Sequence, residues 1–333
     1  MAGSIIFTGG NGSAGIHAAE HLLKIYPQYN AIFTVRNASD DDPNTQALRQ
    51  VISRYPASRA SLHQLDLADL SAVHDFATQI SSAITAGQYP ALKAIVCNAF
   101  YWDLVHDSEL TVDNYDKTIQ IGHISHVALV LRLIGSFGPD GGRIVLISSI
   151  GHFRKKTHTF PYLPDLPADL DELLRPAPDT DKQGRGFQRY GNAKLLATTW
   201  MYPLNNYMLQ DPKFQNITVV AINPGGLGDS RCFRNNTPRS IQFMSKFVLK
   251  PLMPVINRLA DPTFRSSAEA GVDMIEFAVD KAYPGERGYF TLLEKDQSDP
   301  LTLDKDAQIR VWKKSAEWAR ITKDNTALKD ALE

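Results

Sequence analysis

The sequence lacks the features that mark secreted, metal-binding or disulfide-stabilised proteins. It has two cysteines, Cys97 and Cys232, which are too few for a disulfide framework and are typical of a reducing compartment. No set of cysteines and histidines has the spacing of a zinc site, so we expect no metal. The N-terminus has neither the basic stretch nor the long apolar stretch of a signal peptide. These absences predict a cytoplasmic protein.

Charge and hydropathy exclude two further classes of partner. The 333 residues carry a formal net charge of −1 and no long basic run, which argues against nucleic-acid binding. The most apolar later window, residues 241–257, is interrupted by Lys246, Lys250, Pro251 and Pro254, so no stable membrane span is expected. Hydrophobic residues make up 43% of the chain, which is enough for a substantial core.

Short apolar runs alternate with longer helical patterns, which predicts βαβ units on a parallel sheet covered on both faces. Seven strands are expected, at residues 4–8, 31–35, 60–65, 92–97, 143–148, 217–222 and 288–293. Helices are expected at residues 12–25, 43–54, 69–86, 109–135, 187–210 and 264–280, followed by an amphipathic C-terminal helix. No composition shift marks a linker. The sequence therefore predicts a single doubly wound, Rossmann-type α/β domain with a seven-stranded parallel sheet.

Two long segments interrupt this alternation, each just after a predicted strand. Residues 151–186 form an insertion rich in proline and aspartate, and loops of this length are usually functional or mobile. Residues 225–262 form a second excursion with an apolar helical pattern near its end. Ligands bind outside the carboxyl ends of parallel strands, so we expect both segments to shape a pocket, the second as a substrate loop or lid. Alternatively, the two segments lie on the protein surface and take no part in a pocket.

A glycine-rich loop, TGGNGSAGI at residues 8–16, follows the first strand and opens an amphipathic helix. Glycines let the backbone turn tightly and approach a pyrophosphate, whose charge is met by the helix N-terminus. This context favours a nucleotide site over a simple turn. The loop residues expected to contact the nucleotide are Thr8, Gly9, Gly10, Asn11, Gly12, Ser13, Gly15 and Ile16.

The loop resembles the T-G-x-x-x-G-x-G motif of the short-chain dehydrogenase/reductase family. Thr8, Gly9 and Gly15 match that motif, and Ser13 stands where the middle glycine is usual. The resemblance extends over roughly residues 4–293 through further motifs in the family's order. It implies a nicotinamide dinucleotide cofactor and redox chemistry on a carbonyl or alcohol.

Arg36 predicts which nicotinamide cofactor is bound. It stands 21 residues after Gly15, at the end of the second strand, where an NAD site would carry a carboxylate for the ribose hydroxyls. Its guanidinium suits a 2′-phosphate, so NADP(H) is predicted, with Asn37 as a neighbouring contact. The alternative is a surface arginine held by the acidic residues 40–42.

Further cofactor contacts follow only from the resemblance. They are Asp66 and Leu67 after the third strand, Asn98 and Ala99 after the fourth, and Pro224, Gly225, Leu227 and Ser230 after the sixth. Asp66 is equally suited to cap a helix N-terminus. The register at Ser230 stays open, because the family's threonine is replaced by Asp229 followed by this serine.

The stretch FQRYGNAKLLATTW, residues 187–200, places Tyr190 and Lys194 about one helical turn apart. A second such pair, Tyr89 and Lys93, precedes a predicted strand and contains Pro90, so it is not helical. A lysine ammonium favours the phenolate and lowers a tyrosine pKa, which suits acid–base chemistry near neutrality. The resemblance implies that Tyr190 is the catalytic acid and that Lys194 also binds the nicotinamide ribose.

A serine completes the expected catalytic set. Strand five ends in paired serines, and the resemblance implies that Ser149, or alternatively Ser148, orients the substrate carbonyl. Ser149 precedes Tyr190 by 41 residues, far more than is usual in the family. The insertion accounts for the excess, because loop closure becomes more costly only logarithmically with length.

The chain departs from the family at several positions. Gly122 replaces the asparagine that usually holds a proton-relay water, and Asn114 lies too early in the helix to substitute. His123 could supply the missing polar contact, and His152, three residues after Ser149, could act at the pocket mouth, although a lone helical histidine is more often packed or solvated. Pro203 is expected to kink or end the catalytic helix.

The sequence thus predicts an NADPH-dependent ketone reductase or alcohol dehydrogenase. Phe100, Tyr101 and Trp102, together with the apolar residues of the helical pattern at 241–257, favour a bulky lipophilic carbonyl substrate over a small sugar. A homodimer is possible. Two alternatives remain open, a nucleotide-sensing regulatory protein and a non-redox isomerase or cyclase on the same fold.

Overall fold

The structure, a computed structural model, describes residues 2–156 and 161–332. Its strands are β1 (Ser4–Thr8), β2 (Asn30–Val35), β3 (Arg59–Gln64), β4 (Leu92–Cys97), β5 (Gly142–Ile147), β6 (Ile217–Asn223), β7 (Gly288–Thr291) and β8 (Glu294–Lys295). They form one sheet in the order β3-β2-β1-β4-β5-β6-β7-β8. Neighbouring strands are parallel, except that β8 is antiparallel to β7.

The helices cover both faces of the sheet. They are α1 (Ser13–Ile25), α2 (Pro43–Ser53), α3 (Leu70–Thr85), α4 (Lys117–Ile119), α5 (Ser125–Leu133), α6 (Lys182–Gln210), α7 (Arg239–Met244), α8 (Met253–Leu259), α9 (Ser267–Ala278) and α10 (Lys305–Trp318). One apolar layer packs α3, α5, α6 and α10 on the sheet, and the other packs α1, α2 and α9. The predicted doubly wound, Rossmann-type fold is confirmed.

The short strand β8 is the one addition to the predicted sheet. The run GYFTLL was expected to be a single strand over residues 288–293, but β7 ends at Thr291. Leu292 has a φ of 56°, which turns the chain back so that Glu294 pairs with Thr291. Sequence pattern does not favour a left-handed leucine, and for that reason the turn was missed.

The helix expected at residues 109–135 begins later, at Lys117. Asn114 has a φ of 64°, and the carboxylate of Asp116 accepts a hydrogen bond from the Ile119 amide at 2.9 Å, which caps the helix. The stretch Lys117–Ser136 is long and apolar enough to cross a membrane, but 89% of its apolar window is buried inside the protein. It is therefore placed as a core helix of the fold.

Helix α6 begins at Lys182, five residues before its predicted start, because Asp181 accepts a hydrogen bond from the Gly184 amide at 2.9 Å. It continues through Pro203 to Gln210, so the proline does not end it. Trp200, one turn earlier, stacks on Trp312 of α10 with ring centres 5.9 Å apart. Tyr207, one turn after the proline, also packs on Trp312 with ring centres 4.7 Å apart. Packing on both sides of the proline thus stabilises the helix across the missing hydrogen bond.

The described part of the insertion, residues 151–156 and 161–186, packs against the C-terminal helix. Leu170 and Leu173 are buried in the core, and Asp171 accepts hydrogen bonds from Lys314 at 2.8 Å and from the Trp318 indole at 2.7 Å. Residues 157–160 lie outside the described residues. The insertion is thus tied to α10 by both apolar and charged contacts.

Candidate active site

The glycine-rich loop between β1 and α1 is held in a tight turn. Gly9 has a φ of 68°, and its carbonyl accepts a hydrogen bond from the Gly12 amide at 2.9 Å. A Cβ at Gly15 would lie 2.5 Å from the Gly9 carbonyl oxygen, so no side chain fits there. The start of α1 therefore packs directly on the turn, at the point where β1 neighbours β4 and the strand order changes.

Asn98 and Ala99 support this loop from the end of β4. The Asn98 side-chain amide donates to the Thr8 carbonyl at 2.9 Å, and its backbone amide donates to the Thr8 hydroxyl at 2.9 Å. The Ala99 amide donates to the same hydroxyl at 3.1 Å. Nε2 of His126, a residue that sequence reasoning missed, lies 3.0 Å from that hydroxyl. A buried hydrogen-bonded cluster thus fixes the loop.

The first turn of α1 has the properties of an anion site. Its N-cap, Gly12, supplies no side-chain cap, so the first-turn amides point outward. Arg231 reaches this point from the second excursion, where its backbone amide donates to the Ser13 hydroxyl at 2.8 Å. Its guanidinium also donates to the Asn11 carbonyl and the Asn44 side chain. An uncapped helix end beside a guanidinium suits a pyrophosphate.

The Arg36 side chain is exposed at the end of β2, and its guanidinium makes no hydrogen bond or ion pair within residues 2–156 and 161–332. The neighbouring acids do not hold it. Asp40 pairs with Arg49 at 3.3 Å, and Asp42 accepts the Thr45 amide at 2.7 Å. The Asn37 side chain accepts the Ser39 amide at 2.9 Å. The guanidinium of Arg36 is therefore available to an anionic group.

Asp66 does not cap the helix that follows it. The N-cap of α3 is Asp69, which accepts hydrogen bonds from the Ser71 and Ala72 amides at 2.8 and 3.2 Å. Asp66 instead accepts the Ala68 amide at 2.9 Å in a short turn. The capping alternative for Asp66 was therefore wrong. The Leu67 carbonyl accepts the Ser125 hydroxyl at 2.6 Å, which ties this turn to α5.

Tyr190, Lys194 and Ser149 meet at the carboxyl end of β5. The Lys194 ammonium lies 5.6 Å from the centre of the Tyr190 ring and donates to the Ile147 carbonyl at 2.6 Å. The Ser149 hydroxyl accepts the Gly151 amide at 3.1 Å and lies close enough to the Tyr190 phenol to oppose the rise of its pKa. Ser148 is buried and instead bonds Thr198 at 2.8 Å. Of the two serines, Ser149 is therefore the one placed to act with the tyrosine.

Burial sets the protonation states of this pair. Desolvation raises the pKa of Tyr190 to about 12, against a smaller lowering by the nearby Ser149 hydroxyl. Desolvation also lowers the pKa of Lys194 to about 8. The expected lowering of the tyrosine pKa by the ammonium is absent here, because desolvation dominates and the ammonium is directed at the Ile147 carbonyl. Tyr190 is therefore a protonated phenol at neutral pH.

The second Tyr-x-x-x-Lys pair lies elsewhere. Tyr89 precedes β4 and packs edge-on against His63, with ring centres 6.5 Å apart. Lys93 lies near the amino end of β4, and its ammonium is 3.5 Å from the Gly141 carbonyl. The two residues are not on a helix and are at the opposite end of the sheet from Tyr190.

Aromatic side chains surround the Tyr190 phenol. Phe100 and Trp102 each lie with their ring centres 5.7 Å from that of Tyr190. Phe233, from the second excursion, packs on Trp102 at 5.5 Å, and the Trp102 indole donates to the Cys232 carbonyl at 3.1 Å. Phe100 and Trp102 are thus joined by Phe233, which sequence reasoning missed. Tyr101, the third expected aromatic residue, instead donates its hydroxyl to the Glu109 carboxylate at 2.9 Å and lies under the Lys117 ammonium.

The turn after β6 brings the second excursion towards the sheet. Gly225 has a φ of 82°, and a Cβ there would lie 2.1 Å from the Thr263 carbonyl oxygen. Leu227 pairs with Arg265 in an isolated bridge, and Arg265 donates to the Pro224 carbonyl at 2.8 Å. The backbone of this turn is therefore fixed from both sides.

The two candidates for the family's threonine have different contacts. Asp229 accepts the backbone amide and the hydroxyl of Ser267 at 2.8 and 2.7 Å, which occupies one of its carboxylate oxygens at the start of α9. The Ser230 hydroxyl lies 3.1 Å from the Cys232 sulfur and caps the short turn that follows. Both side chains thus stabilise the first part of the second excursion, residues 225–262.

Gly122 lies in a π-helical turn, Gln120–Ile124, between α4 and α5. A Cβ at this position would be 3.0 Å from the Ala193 Cβ, so α6 packs where a larger side chain would stand. His123 does not replace the missing asparagine. It is buried, its Nε2 lies 2.7 Å from the Ser315 hydroxyl of α10, and burial lowers its pKa to about 3.

His152 supports the loop that carries Ser149. Its Nδ1 donates to the Ser149 carbonyl at 2.6 Å, and its Nε2 accepts the Asp299 amide at 3.1 Å. The ring is fully buried, and burial lowers its pKa. It is therefore a packed residue that joins the Ser149 loop to the C-terminal region and is not exposed at the pocket mouth. Among the described residues, no group of three or more potential metal ligands is present.

Comparison with known proteins adds to this geometry. The model of the AcuH dehydrogenase domain matches residues 231–328. The chain is similar to short-chain dehydrogenase iccH of Talaromyces variabilis, with 26% identity over 98% of each protein. It is also similar to dehydrogenase acuH of Aspergillus aculeatus, with 44% identity over 28% of this chain and 94% of that protein. The structure resembles that of a short-chain dehydrogenase from Burkholderia cenocepacia in complex with NADP, with a TM-score of 0.56 and 18% identity over 87% of this chain and 97% of the other.

Proposed function

The chain belongs to the short-chain dehydrogenase/reductase family, a family of oxidoreductases, and on that premise we propose an NADP(H)-dependent ketoreductase. It would reduce a ketone, or oxidise the matching secondary alcohol, on a bulky lipophilic metabolite. The observation that carries this proposal is the position of Ser149 beside the Tyr190 phenol, with Lys194 one turn away and aromatic rings around the phenol.

The residues of the nucleotide site fit NADP(H). The uncapped N-terminus of α1 and the guanidinium of Arg231 suit the pyrophosphate, and the free guanidinium of Arg36 suits a 2′-phosphate. The related Burkholderia protein was solved with NADP, which supports the same choice. The proposed contacts from the chain are Thr8, Gly9, Gly10, Asn11, Gly12, Ser13, Gly15, Ile16, Arg36, Asn37, Asp66, Leu67, Asn98, Ala99, Tyr190, Lys194, Pro224, Gly225, Leu227, Ser230 and Arg231.

The proposed chemistry divides between cofactor and protein. When bound, NADPH supplies a hydride to the carbonyl carbon. Tyr190, a protonated phenol at neutral pH because burial raises its pKa, donates its proton to the oxygen on which charge develops. The Ser149 hydroxyl, which lies beside the phenol, orients that oxygen. The Lys194 ammonium stabilises the phenolate left behind and offers its remaining protons to the nicotinamide ribose.

The aromatic surroundings of Tyr190 support a lipophilic substrate. Phe100, Trp102 and Phe233 form a chain of ring contacts that starts at the phenol. Such surfaces favour apolar rings and exclude water from the reacting carbonyl. A small sugar would leave its hydroxyls without partners against these rings, at a free-energy cost that a steroid- or polyketide-like ketone does not incur.

Deuterium transfer tests the proposal. NADPH deuterated at the pro-S position of the nicotinamide C4 is incubated with the protein and a panel of lipophilic ketones, and the products are analysed by mass spectrometry. Label in a new alcohol is the expected result. NADPH labelled at the pro-R position, run in parallel, detects use of the opposite face. Product formation without label from either face and without net NADPH consumption would contradict redox chemistry and favour an isomerase or cyclase.

A further inference from the structure

The second excursion carries a segment whose charge differs from that of the rest of the protein. We call residues 239–259 the basic–apolar segment; it comprises α7, a π-helical turn, Ser245–Leu249, and α8. It contains four basic residues and no acidic residue, whereas the whole chain has a net charge of −1. The basic residues are Arg239, Lys246, Lys250 and Arg258. All four are exposed, and none forms an ion pair among the described residues.

The same segment exposes large apolar side chains. Seven of them are between 40% and 78% exposed, and they are Phe243, Met244, Phe247, Val248, Leu252, Val255 and Leu259. Most are spaced three or four residues apart, so neighbouring turns present a continuous apolar strip. The rings of Phe243 and Phe247 lie 4.7 Å apart, and the Lys246 ammonium is 5.1 Å from the centre of the Phe247 ring. Cations therefore flank exposed aromatic rings.

We propose that the basic–apolar segment docks the protein on the surface of an anionic lipid bilayer. Exposed phenylalanines and leucines beside unpaired lysines and arginines are the composition of a helix that lies in the membrane interface. The apolar side chains would enter the boundary between headgroups and acyl chains, while Lys246 and Lys250 meet lipid phosphates and carboxylates. Each cation near an anionic surface adds to binding. The inference rests on this surface alone and holds independently of the proposed function.

Charge disfavours a second copy of the chain as the occupant. In a twofold dimer the same patch faces itself, so the four cations of one copy would oppose the four of the other. The segment offers no carboxylate to pair with them. A bilayer combines negative charge with an apolar interior in one partner, which matches both properties of the segment.

The segment is attached to the wall of the candidate active site. The chain just before the segment is fixed by two sets of contacts. The Asn236 carbonyl accepts the Leu104 amide at 2.8 Å, and Cys232 and Phe233 contact Trp102. Docking at this segment would therefore place the aromatic pocket of Tyr190 next to the membrane surface. A lipophilic molecule dissolved in the bilayer would then reach the pocket over a short path.

Vesicle flotation tests the inference with the full-length protein. Vesicles of phosphatidylcholine alone are compared with vesicles that contain about one-third phosphatidylserine, at low and high salt. We expect flotation with the anionic vesicles, weakened by salt because exposed charges are screened. The double variants Phe243→Ser/Phe247→Ser and Lys246→Gln/Lys250→Gln should each lower the partition coefficient by about tenfold or more.

Matched controls remove exposed apolar residues or exposed lysines elsewhere on the protein. Val112→Ser/Ile309→Ser and Lys24→Gln/Lys213→Gln should leave flotation unchanged. Far-UV circular dichroism and NADPH affinity verify that each variant is folded, and the lysine variant tests the proposal separately if the phenylalanine variant does not fold. Absence of flotation, equal binding to neutral vesicles, or insensitivity to both segment variants would overturn the proposal. So would a dimer in sedimentation equilibrium that the phenylalanine variant dissociates, because the occupant would then be a second copy.

Discussion

Ser149 lies beside the Tyr190 phenol, close enough to affect its pKa, although 41 residues separate them in the chain. Ser148, the neighbouring serine, bonds Thr198 instead. The insertion between Ser149 and Tyr190 packs against α10 and does not displace the tyrosine. The proximity of Ser149 and Tyr190 therefore depends on how β5 and α6 pack and not on the length of the connection.

The different surroundings of Ser149 and Ser148 predict different consequences of replacing them. Ser149→Ala should lower kcat by about 10- to 1000-fold, because a donor to the carbonyl oxygen is lost. Ser148→Ala should instead lower the free energy of unfolding by about 1–3 kcal/mol, because a buried partner of Thr198 is lost. Steady-state kinetics and urea unfolding of both variants separate the effects. A Ser148 variant with the larger loss of kcat would show that the wrong serine was assigned.

Arg36 should determine the choice between NADPH and NADH. Arg36→Ala should raise the Kd of NADPH by about tenfold or more and leave that of NADH nearly unchanged, because only NADPH carries the 2′-phosphate. Arg49→Ala is the matched control, since Arg49 is a nearby exposed arginine that pairs with Asp40. Fluorescence titration with both cofactors measures the result. Equal loss of affinity for NADPH and NADH would contradict the assignment.

Arg231 should affect both cofactors alike. Arg231→Ala should weaken NADPH and NADH by a similar factor, about tenfold, because the pyrophosphate beside Ser13 is common to both. Arg234→Ala, an exposed arginine three residues later, serves as the control and should change neither Kd. If Arg231→Ala weakened NADPH alone, the guanidinium would belong to the 2′-phosphate site.

Burial of Lys194 should appear in the pH dependence of stability. Its pKa is lowered to about 8 in the folded protein, so between about pH 8 and its ordinary value near 10.5 the unfolded chain binds more protons at this group. Stability contributed by Lys194 should therefore rise with pH across that window and be smallest below it. Urea midpoints of wild type and Lys194→Met, compared in cofactor-free protein, isolate this contribution. An identical pH slope in both proteins would contradict the lowered pKa.

The parts of the fold that sequence predicted are those with a local physical signal. The run ITVVAI predicted a strand at residues 217–222, and it forms β6, in which every residue is buried. Tyr190 was separated from Tyr89 by helical pattern and by the strand before it. Phe100, Tyr101 and Trp102 were expected to favour a lipophilic substrate, and of these three the rings of Phe100 and Trp102 lie beside Tyr190.

The features that sequence missed depend on distant contacts or unusual backbone. Arg231 bonds Ser13 across 218 residues, and no local pattern indicates that contact. The late start of the helix at Lys117 follows from the left-handed backbone of Asn114. Phe233 became part of the aromatic wall only because the second excursion folds back onto Trp102.

The role of Tyr190 is the central claim, and Tyr190→Phe tests it most directly. The variant keeps the ring that packs between Phe100 and Trp102 and loses only the hydroxyl. Deuterium transfer from labelled NADPH to a lipophilic ketone should fall by about 100-fold or more, while the Kd of NADPH changes little. A phenylalanine variant that transfers label at the wild-type rate would contradict the assignment of Tyr190 as the proton donor.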